Sequence, residues 1–397
     1  MALDFSLSKD QKGIQEEARR AFRAICDRHA SLRASQRQQA AFEDVWAALA
    51  DVGFLGFLVP EANGGSARGL LAAALVMEEL AAADLHSFAP ILGSMAAASV
   101  AAFGSDALKG EVLPGIASGE TKIAIASTEA EAGFNVLNIN TSAENRGDHF
   151  VVNGSKIYVS GMDIASSMLL VTRTLSLEEC ERRGLPKTKG ISLFLADVGS
   201  EGLERRELPS RGEGVLTQFA LELKDVHIPA SRLVGEENEG AAVMFTAFNP
   251  ERTLAAAMAL GISRYALNLA CEHARTRKVF EDTPIGAYQS VQHPLAEIAI
   301  RLDAARWVTH RAAWLFDSGA APKEVAASAN SAKYLAAELA VDAVDAAIHT
   351  FGGKGFDEDH GVIHLWEQAR LLTTAPVSNA LILNQIAEHG LGLPRSY

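Results

Sequence analysis

The sequence predicts an α+β protein, mainly helical: an N-terminal helical domain, a middle antiparallel β domain and a C-terminal four-helix bundle. Three observations carry this. Apolar residues recur three or four apart from residue 8 to about 119. The texture then changes to short β-branched stretches punctuated by turns. Beyond residue 239, long Ala-rich stretches with few aromatics return, as closely packed helices require. The 397 residues allow two or three domains, and 48% hydrophobic content excludes wholesale disorder. The expected divisions are 1–120, 121–235 and 236–397.

In the first domain, Ser8 is placed to cap a helix running through Gln15, Ala18, Phe22 and Ile25. Pro60-Glu-Ala-Asn-Gly-Gly interrupts it with turn chemistry, and helices resume over 70–83 and 91–103. Strands are expected over 123–127, 149–152, 156–160, 168–172, 191–196 and 219–223, with turns at Asn153-Gly154, Lys189-Gly190 and Pro229. Strands joined by turns and not by helices argue against a doubly wound sheet. The last domain reads as helices over about 240–279, 291–319, 322–350 and 376–389.

With 36 basic and 49 acidic residues, the net charge of −13 disfavours nucleic acid but not a small anion held by a few placed cations. Cys26, Cys180 and Cys271 form no disulfide framework, which fits a reducing compartment. The N-terminus has early acids and no long apolar core, so neither a signal nor a transit peptide is expected. Apolar runs such as 91–103 are too short to span a bilayer. These features predict a soluble, cytoplasmic protein without a membrane partner.

Several chemistries lack their motifs. There is no GxGxxG after a strand, no GxxxxGK[ST] and no GxSxG. Cys271 and His273, two apart on a helix, point in different directions and make no nucleophile pair. His360 and His364, with Glu367, have ligand spacing but no supporting pattern, so no metal is expected. Taken alone, Phe351-Gly-Gly-Lys-Gly-Phe356 is a helix C-terminus with left-handed glycines, and Arg277 a cation on a solvated helix face.

Six strings in order change that reading. They are Pro60-Glu-x-x-Gly-Gly65, Ser127-Thr-Glu-x-x-Ala-Gly133, Val152-Asn-Gly-x-Lys-x-x-x-Ser160, Arg275-x-Arg-Lys-x-Phe280, Gln289-x-Val-Gln292 with Leu295-Ala-Glu, and Phe351-Gly-Gly-x-Gly-Phe356. Together they resemble the acyl-CoA dehydrogenase family over essentially the whole chain. The resemblance implies FAD and an oligomer, a homotetramer or homodimer, whose neighbours share flavin contacts. It also implies an electron-transferring flavoprotein as electron acceptor.

Carried over by position, Ile125, Ser127 and Thr128 line the flavin, with Thr128 bonding the ring. Tyr158 stands where the family often has Trp, against the isoalloxazine. Ser160 stands where it has a Thr whose hydroxyl bonds flavin N5. Arg277, Phe280 and Gln289 reach the dinucleotide of a neighbouring subunit, with His349 in place of a commoner Gln and Gly353 packed on the cofactor. Guanidinium suits that place as a fork of donors matching phosphate oxygens. Ser378 joins the cofactor-binding set.

The family reaction removes the α proton of an acyl thioester and transfers the β hydrogen as hydride to the flavin. It needs a carboxylate base whose pKa an apolar pocket raises. The usual Glu position is Pro376 here. A second family solution places the Glu just before an Arg on the first bundle helix, which makes Glu251 the candidate base and Arg252 a substrate contact. The alternative for Glu251 is a first-turn acid complementing the helix macrodipole after Pro250. Pro376 also lacks the N–H that would bond the thioester oxygen, a loss worth about 10²–10³ in rate. A one-residue shift would let Ala375 or Val377 supply it. Phe134-Asn135 replaces a Ser-Asp at the acyl mouth, and Glu281-Asp-Thr-Pro284 makes the loop after Phe280 one residue longer than the family's Gly-x-Pro. Phe134 is counted with the substrate contacts.

The leading expectation is an FAD-dependent acyl-CoA dehydrogenase for a branched or bulky acyl group. The alternatives are a non-catalytic partner subunit of a mixed oligomer, motivated by Pro376, and a related flavin oxidase, monooxygenase or dehydrogenase of carrier-bound acyl groups, motivated by Phe134.

Overall fold

The computed structural model describes residues 6–212, 214–280 and 282–395. Glu281, in the lengthened loop, and the first five residues, on which part of the N-terminal reading rests, lie outside them. The chain begins with α1 (Lys9–Arg28), α2 (Ala34–Ala40), α3 (Phe42–Asp51), α4 (Gly69–Ala82), α5 (Ala89–Phe103) and α6 (Asp106–Ser118). The β segment holds β1 (Ile123–Ala126), β2 (Ser142–Asn145), β3 (His149–Ser160), β4 (Ser167–Arg173), α7 (Leu177–Arg182), β5 (Ile191–Asp197), β6 (Leu203–Leu208), β7 (Gln218–Pro229) and β8 (Leu233–Val234). Then follow α8 (Gly240–Thr276), a small hairpin of β9 (Lys278–Val279) and β10 (Thr283–Pro284), α9 (Gln289–Asp317), α10 (Pro322–Phe351), α11 (His364–Leu371) and α12 (Asn379–Gln385). The chain gathers into two compact units: residues 1–54, 68–86 and 252–397 form a helical unit, and residues 55–67 and 87–251 a β unit.

In the helical unit, Ser8 and Gln11 make a reciprocal capping box that starts α1. The buried face of α1 is Ile14, Ala18, Phe22 and Ile25. Gln15, expected on that face, flanks it and donates to Glu79 at 2.9 Å, because a primary amide needs a polar partner. Two buried acids of α4 are closed by arginines. Glu79 accepts from Arg19 and Arg264, and Glu78 from Arg264 and Arg306. Helices α4 and α8 approach closely, since a Cβ at Gly261 would lie 2.4 Å from that of Ala81. By composition α8 is long and apolar enough to cross a membrane, but 67% of its most apolar stretch is buried inside the protein. Helix α12 starts at Asn379 and not at 376, because Ser378 caps it by accepting from the Leu381 N–H at 3.2 Å.

The β unit is built on one sheet with strand order β6-β7-β3-β2-β4-β5-β8, and β1 pairs with β4. The β1–β4 pairing is parallel, a departure from the all-antiparallel expectation. Both strands are buried almost throughout, as parallel strands are. The expected turn at Asn153-Gly154 is a bulge inside one long strand, β3. Gly154 has φ +149°, and a Cβ there would strike Thr141, so the position serves close packing. The Asn153 amide is spent across the sheet on Asp225. A short helix, α7, also interrupts the strands, capped by Ser176 accepting from the Glu179 N–H. In the Pro60 string, a Cβ at Gly65 would sit 2.0 Å from the Val59 carbonyl oxygen, so this motif is a turn that only glycine fits.

Candidate active site

The candidate residues fall into two groups, one on each unit. On the β unit, the strings around residues 128 and 156 are fastened to one another. The Lys156 amine, fully buried, donates to Glu129 at 2.8 Å and to the Ser127 carbonyl at 3.1 Å. Glu129 also accepts from the Asn140 and Thr141 N–H groups. Burial would raise this carboxyl, but the Lys156 charge and these hydrogen bonds hold it below the usual carboxylate range. The Ile157 N–H donates to the Thr128 carbonyl at 2.9 Å, a second tie. Neither Lys156 nor Glu129 had an assigned role in the sequence, although both stand in the quoted strings.

This brace presents three side chains. Tyr158 is 63% exposed and has φ +57°, a conformation costly for an aromatic residue. The Ser160 oxygen accepts from Gln218 Nε2 at 2.6 Å, which leaves its O–H to donate elsewhere. Phe134 is also 63% exposed. Ile125, Ser127 and Thr128 are half-buried along and just after β1. Strain and exposure at Tyr158, next to an available hydroxyl donor, fit a flat polar ring system.

Glu251 stands in the interior of α8, since the helix begins at Gly240 and passes through Pro250. This removes the first-turn reading. Glu251 is half-buried between buried Pro250 and Arg252. In the loop before α12, the Ala375 N–H is spent on the Leu371 carbonyl at 2.8 Å, so Ala375 does not replace the donor lost at Pro376. The Val377 carbonyl accepts from the buried Lys333 amine, which also bonds Asn379.

The other group lies on the helical unit. Arg277 follows the end of α8 and is exposed. Phe280 is 82% exposed with φ +40°, at the tip of the β9–β10 hairpin. Gln289 opens α9, and His349 and Gly353 flank the end of α10. Gly352 has φ +61°, and a Cβ at Gly352 or Gly353 would meet nothing within 4 Å, an open floor beside these side chains. Lys354 and His273 stand with them, and the sequence offered no signal for either beyond the glycine string and the Cys271–His273 spacing. Ser378, placed in the cofactor set, serves as the α12 cap. His364 bonds Asp84 at 2.9 Å, and His360 lies 3.4 Å from Asp357, so the two are held apart by separate acids.

A strained exposed aromatic beside a hydroxyl donor on the β unit, and separately exposed cations at one end of the helical unit, are what the described residues offer. Profiles of the acyl-CoA dehydrogenase N-terminal, middle and C-terminal domains match residues 8–120, 124–226 and 238–391. The acyl-CoA dehydrogenase FadE12 of Mycobacterium tuberculosis is 39% identical over 355 residues, covering 89% of each chain. The cyclohex-1-ene-1-carbonyl-CoA dehydrogenase of Geobacter metallireducens is 31% identical over 81% of this chain and 83% of its own. Among solved structures, a glutaryl-coenzyme A dehydrogenase in complex with glutaryl-CoA has a TM-score of 0.90 at 26% identity, covering 99% of this chain and 98% of the other. PigA with FAD and proline has a TM-score of 0.86 at 27% identity, covering 98% and 100%. The chain belongs to the acyl-CoA dehydrogenase family, whose members are FAD-dependent oxidoreductases.

Proposed function

We propose that the protein removes the α and β hydrogens of an acyl-CoA thioester with a branched or bulky acyl group, using Glu251 as base. The observation carrying this is the place of Glu251: mid-helix, half-buried, with buried residues on both sides and no capping role. Arg252, buried beside it, orients the substrate. The Val377 N–H, in the peptide next to the carbonyl that Lys333 holds, donates to the thioester oxygen in place of Pro376. Bound FAD supplies the hydride acceptor. Ile125, Ser127, Thr128, Tyr158 and Ser160 line the flavin in this reading, Phe134 the acyl mouth, and Arg277, Phe280, Gln289, His349 and Gly353 reach the dinucleotide of a neighbouring subunit.

Electrons pass to an electron-transferring flavoprotein in this reading. The protein acts in the cytoplasm as a homotetramer or homodimer. Supporting association, Ile300, Trp307 and Trp314 of α9 are exposed at seven-residue spacing, one apolar stripe. The test is flavin bleaching under anaerobic conditions across acyl-CoA lengths and branching. Bleaching by a branched acyl-CoA supports the reading, and no bleaching by any acyl-CoA defeats it.

A second reading has its own support. The L-prolyl-[peptidyl-carrier protein] dehydrogenase of a Serratia strain is 29% identical over 91% of each chain. With bulky Phe134 at the mouth, a carrier-bound acyl group is then the substrate. Bleaching by an acyl carrier protein thioester but not by the matching CoA ester selects it.

A further inference from the structure

The loop between α11 and α12 leaves two N–H groups unspent. Thr373 donates to the Arg370 carbonyl, Thr374 and Ala375 to that of Leu371, and Asn379 to that of Thr373. Pro376 has no N–H. Those of Val377 and Ser378 meet no acceptor among the described residues. Beside this loop Lys333, in the middle of α10, is 1% exposed. Its amine donates to the Val377 carbonyl and to Asn379 Oδ1 at 2.9 Å. The Asn379 amide donates onward to Glu338, further along the same helix. A buried ammonium is costly, and an apolar residue of its size is often neutral or better in such a place. Holding α12 does not require it, because Ser378 already caps that helix and the Asn379 N–H is spent on Thr373. What the amine adds is a direction. A peptide unit is planar, so a gripped carbonyl oxygen fixes the whole plane from Val377 to Ser378. On the other side, Pro376 locks its own φ. The Val377 N–H therefore lies between two restrained neighbours.

We propose that Lys333 is a positioning residue for the dehydrogenation: by gripping the Val377 carbonyl it keeps the Val377 N–H aimed at the thioester oxygen. This rests on the reading above, in which that N–H replaces the one lost at Pro376. Lys333 acts through the peptide and not on the substrate. A donor held in advance needs no reorganisation when charge develops on the oxygen. The benefit is therefore larger for the enolate than for the neutral thioester, and it shows in kcat more than in KM.

The probe is acetoacetyl-CoA labelled with ¹³C at the thioester carbonyl, bound to the flavin-loaded full-length protein. Its acidic α proton leaves without any redox step, so the donor is read without turnover. Two quantities are measured: the infrared stretch of the labelled carbonyl, and the pH at which the bound probe ionises to its enolate. Lys333→Met is expected to move the stretch toward its value in the free probe. It should also raise the ionisation pH by about one to two units, roughly a 10- to 100-fold weaker hold on the enolate. That is less than the loss of about 10²–10³ for a donor removed outright. FAD content stays the same, and turnover of any acyl-CoA that bleaches the flavin falls in kcat with KM little changed. Lys333→Met removes one charge of the chain that runs through Asn379 to Glu338. The double variant with Glu338→Met removes the other as well, and it decides if the single variant does not fold. An unchanged stretch and ionisation pH in either folded variant overturn the proposal, as does a loss confined to KM or to FAD content. Val377→Pro tells this failure from that of the reading beneath it. A shift in Val377→Pro with none in Lys333→Met strikes Lys333 alone. No shift in Val377→Pro removes the donor and the proposal with it, and failure of the probe to bind the unchanged protein defeats the CoA reading itself.

Discussion

The amine of Lys156 lies 2.8 Å from the carboxylate of Glu129, and through that pair the loop bearing Thr128 is fastened to the strand bearing Tyr158 and Ser160. Removing one partner leaves the other buried and charged, which costs about 3–5 kcal/mol. Lys156→Met is therefore expected to lower the urea midpoint of the flavin-free protein and weaken FAD. Glu129 is held below the usual carboxylate range, so its contribution is present above the unfolded value and lost as pH falls through the folded one. The stability gap between the unchanged protein and Glu129→Gln should accordingly narrow in acid. A gap constant from neutral pH into strong acid contradicts this.

Tyr158 places an exposed aromatic ring on a left-handed backbone. Tyr158→Gly relieves that strain and forfeits little packing. The flavin-free protein should gain about 1 kcal/mol while its FAD affinity falls. Equilibrium unfolding and flavin titration on the same samples check the opposite signs, and two changes of the same sign refute the trade.

Glu251→Gln should lower the rate of flavin bleaching by roughly 10²–10⁴ with FAD still bound, because only proton abstraction is removed. Val377→Pro removes the proposed N–H donor and should cost about 10²–10³. Stopped-flow absorbance reads both, and unchanged rates in either variant strike that residue from the mechanism.

Ser160→Ala strands the buried Gln218 amide, which now donates to the serine oxygen at 2.6 Å. A loss of about 1–3 kcal/mol is expected, together with a shifted spectrum of bound flavin. Ser160→Thr restores both. Chemical denaturation and visible absorbance are the measurements.

Much of this was legible in the sequence wherever a residue type has one local use. Ser8 with Gln11 starts a helix by backbone chemistry alone, and the long bundle helices follow from periodicity. Asn153-Gly154 misled because a hairpin turn and a bulge both need glycine conformations, and only the tertiary neighbour Thr141 decides between them. The Lys156–Glu129 pair spans 27 residues, and no local pattern marks a buried lysine as a brace. The helix expected from about 240 does begin at Gly240, and it is the first-turn alternative for Glu251 after Pro250 that this start removes. His273 was legible only as a poor partner for Cys271, since its stacking partner Phe351 comes from another helix.

The acids of α4 set an order on how the chain is made. Arg306 follows its partner Glu78 by 228 residues, a delay on the order of 10–45 s at ribosomal elongation rates of roughly 5–20 residues per second. Arg19, made before Glu79, is its partner from the start, but Glu78 has neither of the arginines that close it until residue 264 is made, and has both only at 306. All residues of the β unit have been synthesised by position 251, before either Arg264 or Arg306 exists. A released chain that ends between residues 251 and 264 should therefore carry a formed sheet and an N-terminal helical segment that proteases still cut.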